Sequence, residues 1–286
     1  MTPDCTIVHL TDTHIVAPGC LVRDVVDTAD NLRTVLDRII ATGRTVDVLL
    51  LTGDLTDNGD PLAYRRLREI VEPAAATLDA QIIYALGNHD SHSAFRAELV
   101  PEPSSSDPSG PSFDTVADLA NVRVITMDST LPGRHDGGLS ADQLSWLAAQ
   151  LATPSRSGTT VLAMHHPPLR SAIDPVDALR LRDPEDLAEV IAGSEVRMIL
   201  CGHAHLTGTG ALAGVPIWIG PAMSYRIDPF APLGRHRGWV GYGFTRVDVL
   251  DGSVVATAVE ETPTTAVYDT DEEQTLATLR ELAHEV

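Results

Sequence analysis

Five apolar, strand-like runs in this chain end in the same way, with Asp, Asn or His close behind the last apolar residue. The runs and their polar continuations are IVHL before TDTH (11–14), VLLL before TGD (52–54), IIYAL before GNHD (87–90), VLAM before HH (165–166) and MILC before GHAH (202–205). Six of the eleven histidines stand at these junctions. Helix caps and turns use Asp, Asn, Ser or Gly but do not require histidine. The repetition therefore indicates one shared site at the ends of the strands.

Helical patterns separate the apolar runs. Residues 30–42 follow the i, i+3, i+4 spacing of an amphipathic helix. Capping residues and prolines predict further helix starts at 60–61, 140–143 and 183–184. From about residue 207 the pattern changes to shorter strands joined by turns. The sequence thus predicts an α/β chain, and in open α/β sheets ligands bind outside the carboxyl ends of the strands.

Seven side chains at the strand ends have the chemistry of metal ligands: Asp12, His14, Asp54, Asn88, His165, His203 and His205. They include no thiolate, which excludes a structural zinc site, and their mixture of imidazole, carboxylate and amide oxygen suits Mn, Fe, Zn or Co. Seven donors are too many for one ion but serve two if one carboxylate bridges. Two ions about 3.5–4 Å apart form the arrangement that cleaves phosphate esters. Gly53, Gly87 and Gly202 are expected to let the backbone turn sharply towards the ions.

Charge and composition exclude several functions. The formal net charge is −20 and every basic residue is arginine, so chemistry that needs a lysine is excluded. A long nucleic acid is disfavoured as a partner, whereas a small anion drawn to a local cation is not. The chain has no apolar run of membrane-span length, no signal-peptide pattern and no C-x-x-C pair among its three cysteines. We therefore expect a soluble cytoplasmic protein with free thiols and no membrane partner.

In their order, the motifs D-x-H, G-D, G-N-H-D, H and G-H-x-H resemble those of the calcineurin-like metallophosphoesterase superfamily, over roughly residues 5–250. The segments VLLLTGDLTDNGDPLAYRRLREIVEP, YALGNHD and LAMHHPP are similar to the class III cyclic nucleotide phosphodiesterases, whose branch also holds bacterial glycerophosphodiesterases. The resemblance implies a four-layer α/β-β/α sandwich of two mixed sheets flanked by helices. We expect a catalytic domain at 1–262 and, at 263–286, an amphipathic helix that packs on this domain or on a partner subunit.

The resemblance also implies roles for the site residues. Asp12, His14 and His205 would hold the first ion, Asn88, His165 and His203 the second, and Asp54 would bridge them. A hydroxide shared by the two ions would attack phosphorus in line. His89 corresponds to the family's histidine that contacts the phosphate or protonates the leaving oxygen. Asn88 and His205, as well as His89, are expected to contact the substrate.

Several further residues have alternative interpretations. Asp57 is predicted to orient His89 and so to assist catalysis; the alternative is a turn former before Gly59. His166 is expected to be structural, and Asp128 to support its loop through hydrogen bonds. Surface positions are expected for His92, His135 and His236; the alternative is that they line a substrate cleft. Ser224 and Tyr225 are weaker candidates for bordering the substrate.

The function predicted is hydrolysis of 3',5'-cyclic nucleotides (cAMP and cGMP) to nucleoside monophosphates by a dinuclear, metal-dependent phosphodiesterase. The main alternative is a phosphodiesterase for glycerophosphodiesters or other small diesters, because both activities use the same ligands. A binding module that has lost catalysis and a nuclease are further alternatives; the intact ligand set argues against the first and the net charge against the second. A homodimer is inferred only from the family resemblance. The role of the Pro- and Ser-rich segment 101–112 stays open.

Overall fold

The computed structural model describes residues 2–100 and 112–261. The predicted C-terminal helix, and all of the Pro- and Ser-rich segment except Ser112, lie outside these residues. The helices of the described part are Thr28–Ala41 (α1), Pro61–Leu78 (α2), His92–Leu99 (α3), Ala141–Leu151 (α4), Asp174–Asp177 (α5) and Pro184–Ile191 (α6). Its strands are Cys5–Leu10 (β1), Val48–Thr52 (β2), Gln81–Ala85 (β3), Thr115–Asp118 (β4), Arg123–Met127 (β5), Thr160–Met164 (β6), Val196–Cys201 (β7), Gly208–Leu212 (β8), Val215–Ile219 (β9), Tyr225–Ile227 (β10), Gly238–Val240 (β11), Tyr242–Leu250 (β12) and Ser253–Glu261 (β13).

Two mixed sheets form the centre of the molecule. The first has the strand order β13-β12-β1-β2-β3, and the second has the order β4-β5-β6-β7-β9-β8. Strands β1, β2 and β3 are parallel, and so are β5, β6, β7 and β9, whereas the remaining strands of each sheet pair antiparallel. Strands β10 and β11 form a separate hairpin.

Alternate side chains of β1 show how the layers pack. Ile7 belongs to a cluster that also contains Val124 and Val161 of the second sheet, so this cluster lies between the sheets. Val8 points the other way and packs with residues of α1 and α2. A third cluster joins the second sheet to α4 and α6. Helix, sheet, sheet and helix therefore follow one another, which confirms the predicted four-layer sandwich.

Local capping explains where the helices begin. Asp60 accepts a hydrogen bond from Leu62 N–H at 2.8 Å and starts α2, as predicted. Ser140 and Gln143 form both halves of a capping box at α4. Helix α1 begins two residues before the predicted start, because the Asp27 side chain accepts from Asp30 N–H.

Two further expectations concern the chain as a whole. Within residues 2–100 and 112–261, no helix is both long enough and apolar enough to cross a membrane. All three cysteines are free thiols; Cys5 and Cys201 are buried, and Cys20 is exposed. Burial raises the pKa of Cys5 to about 12, so that thiol stays protonated at neutral pH.

The loops that follow the parallel strands of both sheets meet at one end of the sandwich. Asp12 N–H donates to the carbonyl of Gly53 at 3.1 Å, which joins the loops after β1 and β2. Across the two sheets, His203 N–H donates to the Asp12 carboxylate at 3.0 Å. The sandwich therefore brings together the five strand ends that carry Asp, Asn and His.

Candidate metal centre

Four of the predicted ligands form a tight, buried cluster. The donor atoms of Asp12, His14, Asp54 and His205 all lie within 4.8 Å of one another. His14 Nε2 is 3.2 Å from His205 Nε2 and 3.4 Å from Asp54 Oδ2. His205 Nε2 is 3.4 Å from Asp12 Oδ1. This is the set that the family resemblance assigns to the first ion.

The predicted second set lies on the other side of Asp54. His165 Nε2 is 3.3 Å from Asp54 Oδ2 and 3.2 Å from His203 Nδ1. One oxygen of Asp54 is therefore close to a histidine of each set, which is the position that a bridging carboxylate needs. Asn88 Oδ1 is buried and has no hydrogen-bond partner. A buried amide oxygen without a donor is costly unless it has another electropositive partner, such as a cation.

The hydrogen bonds of the histidine rings decide which nitrogens can bind a metal. His165 Nδ1 lies 2.9 Å from the carbonyl of Thr52, and His205 Nδ1 lies 2.9 Å from the carbonyl of Tyr225. Because a carbonyl only accepts, each Nδ1 carries a proton, and Nε2 is the nitrogen that is left to bind a metal. Nitrogen lone pairs 3.2 Å apart repel unless a cation lies between them. Donors that sit about 2.0–2.1 Å from one shared ion are separated by distances of this order, so the residues fit two metal ions.

The backbone of the site is strained at the ligands themselves. Five of the predicted ligands have positive φ angles although they are not glycine: Asp12 (53°), His14 (41°), Asp54 (46°), His203 (68°) and His205 (49°). Such left-handed conformations are uncommon for residues other than Gly, although Asn, Asp and His adopt them more often than the rest, and they cluster at functional sites. The surrounding hydrogen bonds hold this geometry in place, so the donors are oriented before any ion binds.

Glycines next to the ligands allow close approach. Gly53 has a φ of +90° and makes the sharp turn expected from the sequence. Gly202 instead leaves room for the loop after β1: a Cβ there would lie 1.8 Å from Thr11 Oγ1 and 2.6 Å from Asp12 Oδ2. Gly87 resembles Gly202, since its Cβ would lie 2.3 Å from Asp54 Oδ1. The prediction of a sharp turn was thus right for Gly53, whereas the other two glycines serve packing.

Asp57 contacts the catalytic candidate His89 and the predicted ligand His14, but differently from the expectation. Its main-chain carbonyl lies 2.7 Å from His89 Nδ1, whereas its carboxylate lies 3.0 Å from His14 Nδ1. The loop after β2 continues alongside the loop after β1, with Asp57 N–H bonded to the Ile15 carbonyl, and this pairing turns the carboxylate towards His14. Asp57 therefore fixes the ring orientation of a predicted ligand, while its carbonyl fixes the tautomer of His89.

Asp90 is a functional candidate that the sequence reasoning missed. Its carboxylate accepts hydrogen bonds from Leu55 N–H (3.1 Å), Thr56 N–H (3.1 Å) and Gly87 N–H (2.9 Å), and from the Tyr64 hydroxyl (2.9 Å). It thereby ties together the loops that carry Asp54 and Asn88. The signal was its place at the end of the G-N-H-D motif, directly after His89.

Electrostatics favours the protonation state that a metal ligand needs at Asp54 and His203, but not at His165. Burial raises the pKa of Asp54, but the charges of His165 and His14 outweigh burial and hold it well below its usual range. Burial and the charge of His165 lower the pKa of His203 to about 3. Burial also lowers the pKa of His165, but the charge of Asp54 and its hydrogen bond outweigh burial and raise this pKa to about 9. Asp54 is therefore ionised and His203 neutral at pH 7, whereas a metal must compete with a proton for His165.

The remaining candidates surround the cluster. His166 is buried, with Nδ1 2.8 Å from Ser129 Oγ, and its donor atom lies within 4.8 Å of those of His165 and His203. His135, expected to be a surface residue, is exposed but lies close to the site, with Nδ1 3.1 Å from Asn88 Nδ2. Asp128 accepts from Phe113 N–H at 3.0 Å and from Thr130 N–H at 3.1 Å, which confirms that it supports its loop.

Comparison with known proteins identifies the class to which this fold and site belong. Residues 5–206 match the calcineurin-like phosphoesterase family, and the chain is a member of that family. A dimetal phosphatase from Danio rerio has the same fold, with a TM-score of 0.64 and 16% sequence identity, covering 89% of this chain and 98% of that protein. The predicted family is confirmed.

Two relatives are similar over most of their length. The chain is 45% identical over 258 residues to a protein from Rhodococcus erythropolis named "probable cyclic nucleotide phosphodiesterase", covering 90% of this chain and 84% of the relative. It is 38% identical over 258 residues to the cAMP/cGMP dual specificity phosphodiesterase of Mycobacterium tuberculosis, covering 90% of this chain and 80% of that protein.

Proposed function

We propose that this chain is a dinuclear metal-dependent phosphodiesterase that hydrolyses 3',5'-cyclic nucleotides, cAMP and cGMP, to nucleoside monophosphates. The observation that carries the proposal is Asp54 Oδ2, which lies 3.4 Å from a histidine nitrogen of one ligand set and 3.3 Å from a histidine nitrogen of the other. A shared carboxylate between two sets of donors is what a two-metal phosphoester site requires. The names of the two relatives support the cyclic nucleotide as substrate.

We assign the first ion to Asp12, His14 and His205, the second to Asn88, His165 and His203, and the bridge to Asp54. Two bound ions supply an acidified water and positive charge beside the phosphate. Mn, Fe, Zn or Co would suit these donors. Cytoplasmic location and a homodimer stay predictions.

Protein side chains have defined tasks around these ions. His89 Nδ1–H donates to the Asp57 carbonyl at 2.7 Å, which leaves Nε2 to face the site. A proton on Nε2 would let this nitrogen donate to a phosphate oxygen or to the leaving oxygen. Asp54 Oδ1 accepts from His89 N–H at 2.9 Å, which couples the position of this ring to the bridging carboxylate. The Asp57 carboxylate steadies His14 at 3.0 Å. The substrate would thus meet an oriented histidine beside the metal ligands.

Two measurements test the proposal. Hydrolysis of bis(p-nitrophenyl) phosphate should depend on added metal and should be lost in Asp54→Ala and His89→Ala. Then kcat/KM for cAMP should exceed kcat/KM for glycerophosphocholine. A protein that binds two ions but hydrolyses none of these three compounds would be a binding module. A rate for cAMP orders of magnitude below that for the aryl diester would overturn the cyclic nucleotide as substrate.

A further inference from the structure

A cavity of about 370 Å³ opens beside the metal centre. Its walls come from the turn at residues 22–26 on one side and from the hairpin of β10 and β11 on the other. The lining is largely apolar and aromatic, and includes Val25, Tyr225, Ile227 and Trp239. A volume of this size lies within the range of about 300–1,000 Å³ that small-molecule sites have. No residue of this lining belongs to the metal ligands.

Tyr225 joins the cavity to the metal centre. Its ring centroid lies 4.3 Å from that of His205, and its carbonyl lies 2.9 Å from His205 Nδ1. The ring of His14 is 6.3 Å away from the same tyrosine. A molecule in the cavity therefore contacts Tyr225, whose ring also packs near His205 and His14, two predicted ligands of the first ion.

Trp239 offers an aromatic surface that the protein itself leaves partly uncovered. The indole is 53% exposed, although large aromatic residues are mostly buried. The Arg237 guanidinium lies 4.4 Å from the ring centroid on one face, and Arg237 is held in turn by Asp228. Arg237 does not line the cavity, so the indole is fixed between the guanidinium and the open space.

Arg23 brings a positive charge to the opposite wall. Arg23 and Asp24 have positive φ angles of 53° and 58°, in a turn closed by hydrogen bonds between Val22 and Val26. Arg23 lines the cavity together with Tyr225. Strained backbone of this kind points to a function for the turn. The turn thus holds a cation at the cavity, on the side that borders the metal centre.

We propose that this cavity holds the nucleoside of the substrate, with the base against Trp239 and Tyr225 and the phosphodiester at the metal centre. The inference rests on the proposed function and deepens it, because it names the residues that recognise the nucleoside. Stacking accepts every base, since every base has a π-face, so the cavity would take adenine and guanine alike. A glycerol group has no π-face, so contact with Trp239 and Tyr225 would add little to its binding free energy.

The same surface also carries exposed apolar side chains that a second copy of the chain could cover. Phe230, in the loop between β10 and β11, is 93% exposed and does not line the cavity. Phe230 is therefore the matched control. An interface with a second copy of the chain would need this aromatic residue, whereas a nucleoside pocket would not.

The test uses the full-length enzyme with Trp239→Ala, Trp239→Phe and Phe230→Ala. Trp239→Ala should raise KM for cAMP on the order of 10-fold with little change in kcat, because stacking is lost but the metal centre is intact. Trp239→Phe should recover most of the loss, and Phe230→Ala should leave both constants unchanged. If the hairpin does not tolerate the alanine, Val25→Trp fills the cavity from the opposite, exposed wall and should raise KM in the same way.

Binding of adenosine separates this inference from the proposed function. Adenosine has no phosphate, so calorimetry in EDTA should detect it in wild-type protein and show binding on the order of 10-fold weaker in Trp239→Ala. A wild-type enzyme without cAMP hydrolysis would overturn the proposed function, whatever adenosine does. Hydrolysis of cAMP with unchanged KM and unchanged adenosine binding in Trp239→Ala would overturn the pocket alone. A change of sedimentation in Phe230→Ala and Trp239→Ala, with no change in KM, would assign the surface to a second copy instead.

Discussion

Asp90 provides the sharpest test of how the metal loops are held. Its Oδ2 accepts from Leu55 N–H and Gly87 N–H, and its Oδ1 accepts from Thr56 N–H and the Tyr64 hydroxyl. Replacing Asp90 by alanine leaves three backbone donors without an acceptor. Replacement by asparagine keeps one oxygen, which can serve Leu55 and Gly87. The amide NH₂ then faces the Thr56 N–H, a contact between two donors, while the tyrosine hydroxyl can turn to accept.

The magnitudes follow from this count. An unsatisfied buried donor costs about 1–3 kcal/mol. Asp90 itself is half-buried, but Leu55 and Thr56, which carry two of the three backbone donors, are fully buried. Three lost backbone bonds predict a loss of at least about 3 kcal/mol in the free energy of unfolding for Asp90→Ala. A single unmet donor predicts about 1–2 kcal/mol for Asp90→Asn. Because the loops carry Asp54 and Asn88, metal affinity should also fall about 10- to 100-fold.

Urea unfolding and metal titration measure the two effects separately. The matched control is Asp114→Ala, since Asp114 also accepts a main-chain N–H, from Asp128 at 2.7 Å, and a side-chain donor, from Gln143 at 3.0 Å. This control should lose stability but keep its metal affinity. If Asp90→Ala loses less than about 1 kcal/mol, or if Asp90 and Asp114 variants lose metal affinity equally, Asp90 does not tie the metal loops together.

Three further outcomes are expected. Asp57→Ala should lower metal affinity or activity about 10- to 100-fold because no side-chain oxygen then orients His14; unchanged metal content and unchanged kcat would contradict this role. The hydrogen bond to Asp128 outweighs burial and raises the pKa of His92. Its stabilising effect should therefore be complete below about pH 6.5 and disappear as pH rises through the raised pKa, so that His92→Gln is more destabilising at low than at high pH in urea unfolding. A pH-independent difference would refute this. Chelation with EDTA should lower Tm, by an amount equivalent to about 4 kcal/mol when the free metal had been near 1,000 times its Kd; an unchanged Tm would argue against resident ions.

The metal ligands could be predicted because their chemistry is carried by residue type and their meeting is fixed by topology. Strand β2 is a continuous apolar run, as a strand covered on both faces is, and the α/β pattern placed the carboxyl ends of such strands at one edge. The histidines then indicated metal binding, because neither helix caps nor turns require histidine. Contacts that depend on the direction of a side chain could not be predicted from the sequence. Asp57 and His14 are 43 positions apart, and only the pairing of their loops decides that the carboxylate faces that ring.

The hairpin of β10 and β11 escaped prediction for a different reason. Its strands have three residues each, and all three residues of β11 are exposed, so neither alternation nor a continuous apolar run marks them. Helix α3 was missed because Phe95 is its only buried residue, which leaves no apolar face to detect. Segments that pack little against the core leave little trace in the sequence, even where they border a site.

An anionic substrate can bind to this strongly acidic chain because the charge of the whole chain and the charge of the site act over different distances. The net charge of −20 is spread over the whole chain, and exposed charges farther than about 8–10 Å from the site are largely screened at physiological salt. At the centre, Asp12 and Asp54 are the only carboxylates among the seven assigned ligands, whose other members are neutral imidazoles and an amide. Two divalent ions would therefore outweigh the ligand charge and leave a positive site, to which Arg23 adds a further cation across the cavity. A cyclic nucleotide is small enough to experience mainly this local charge, whereas a long polyanion would also meet the acidic surface. The same balance that admits a small diester thus disfavours a nucleic acid.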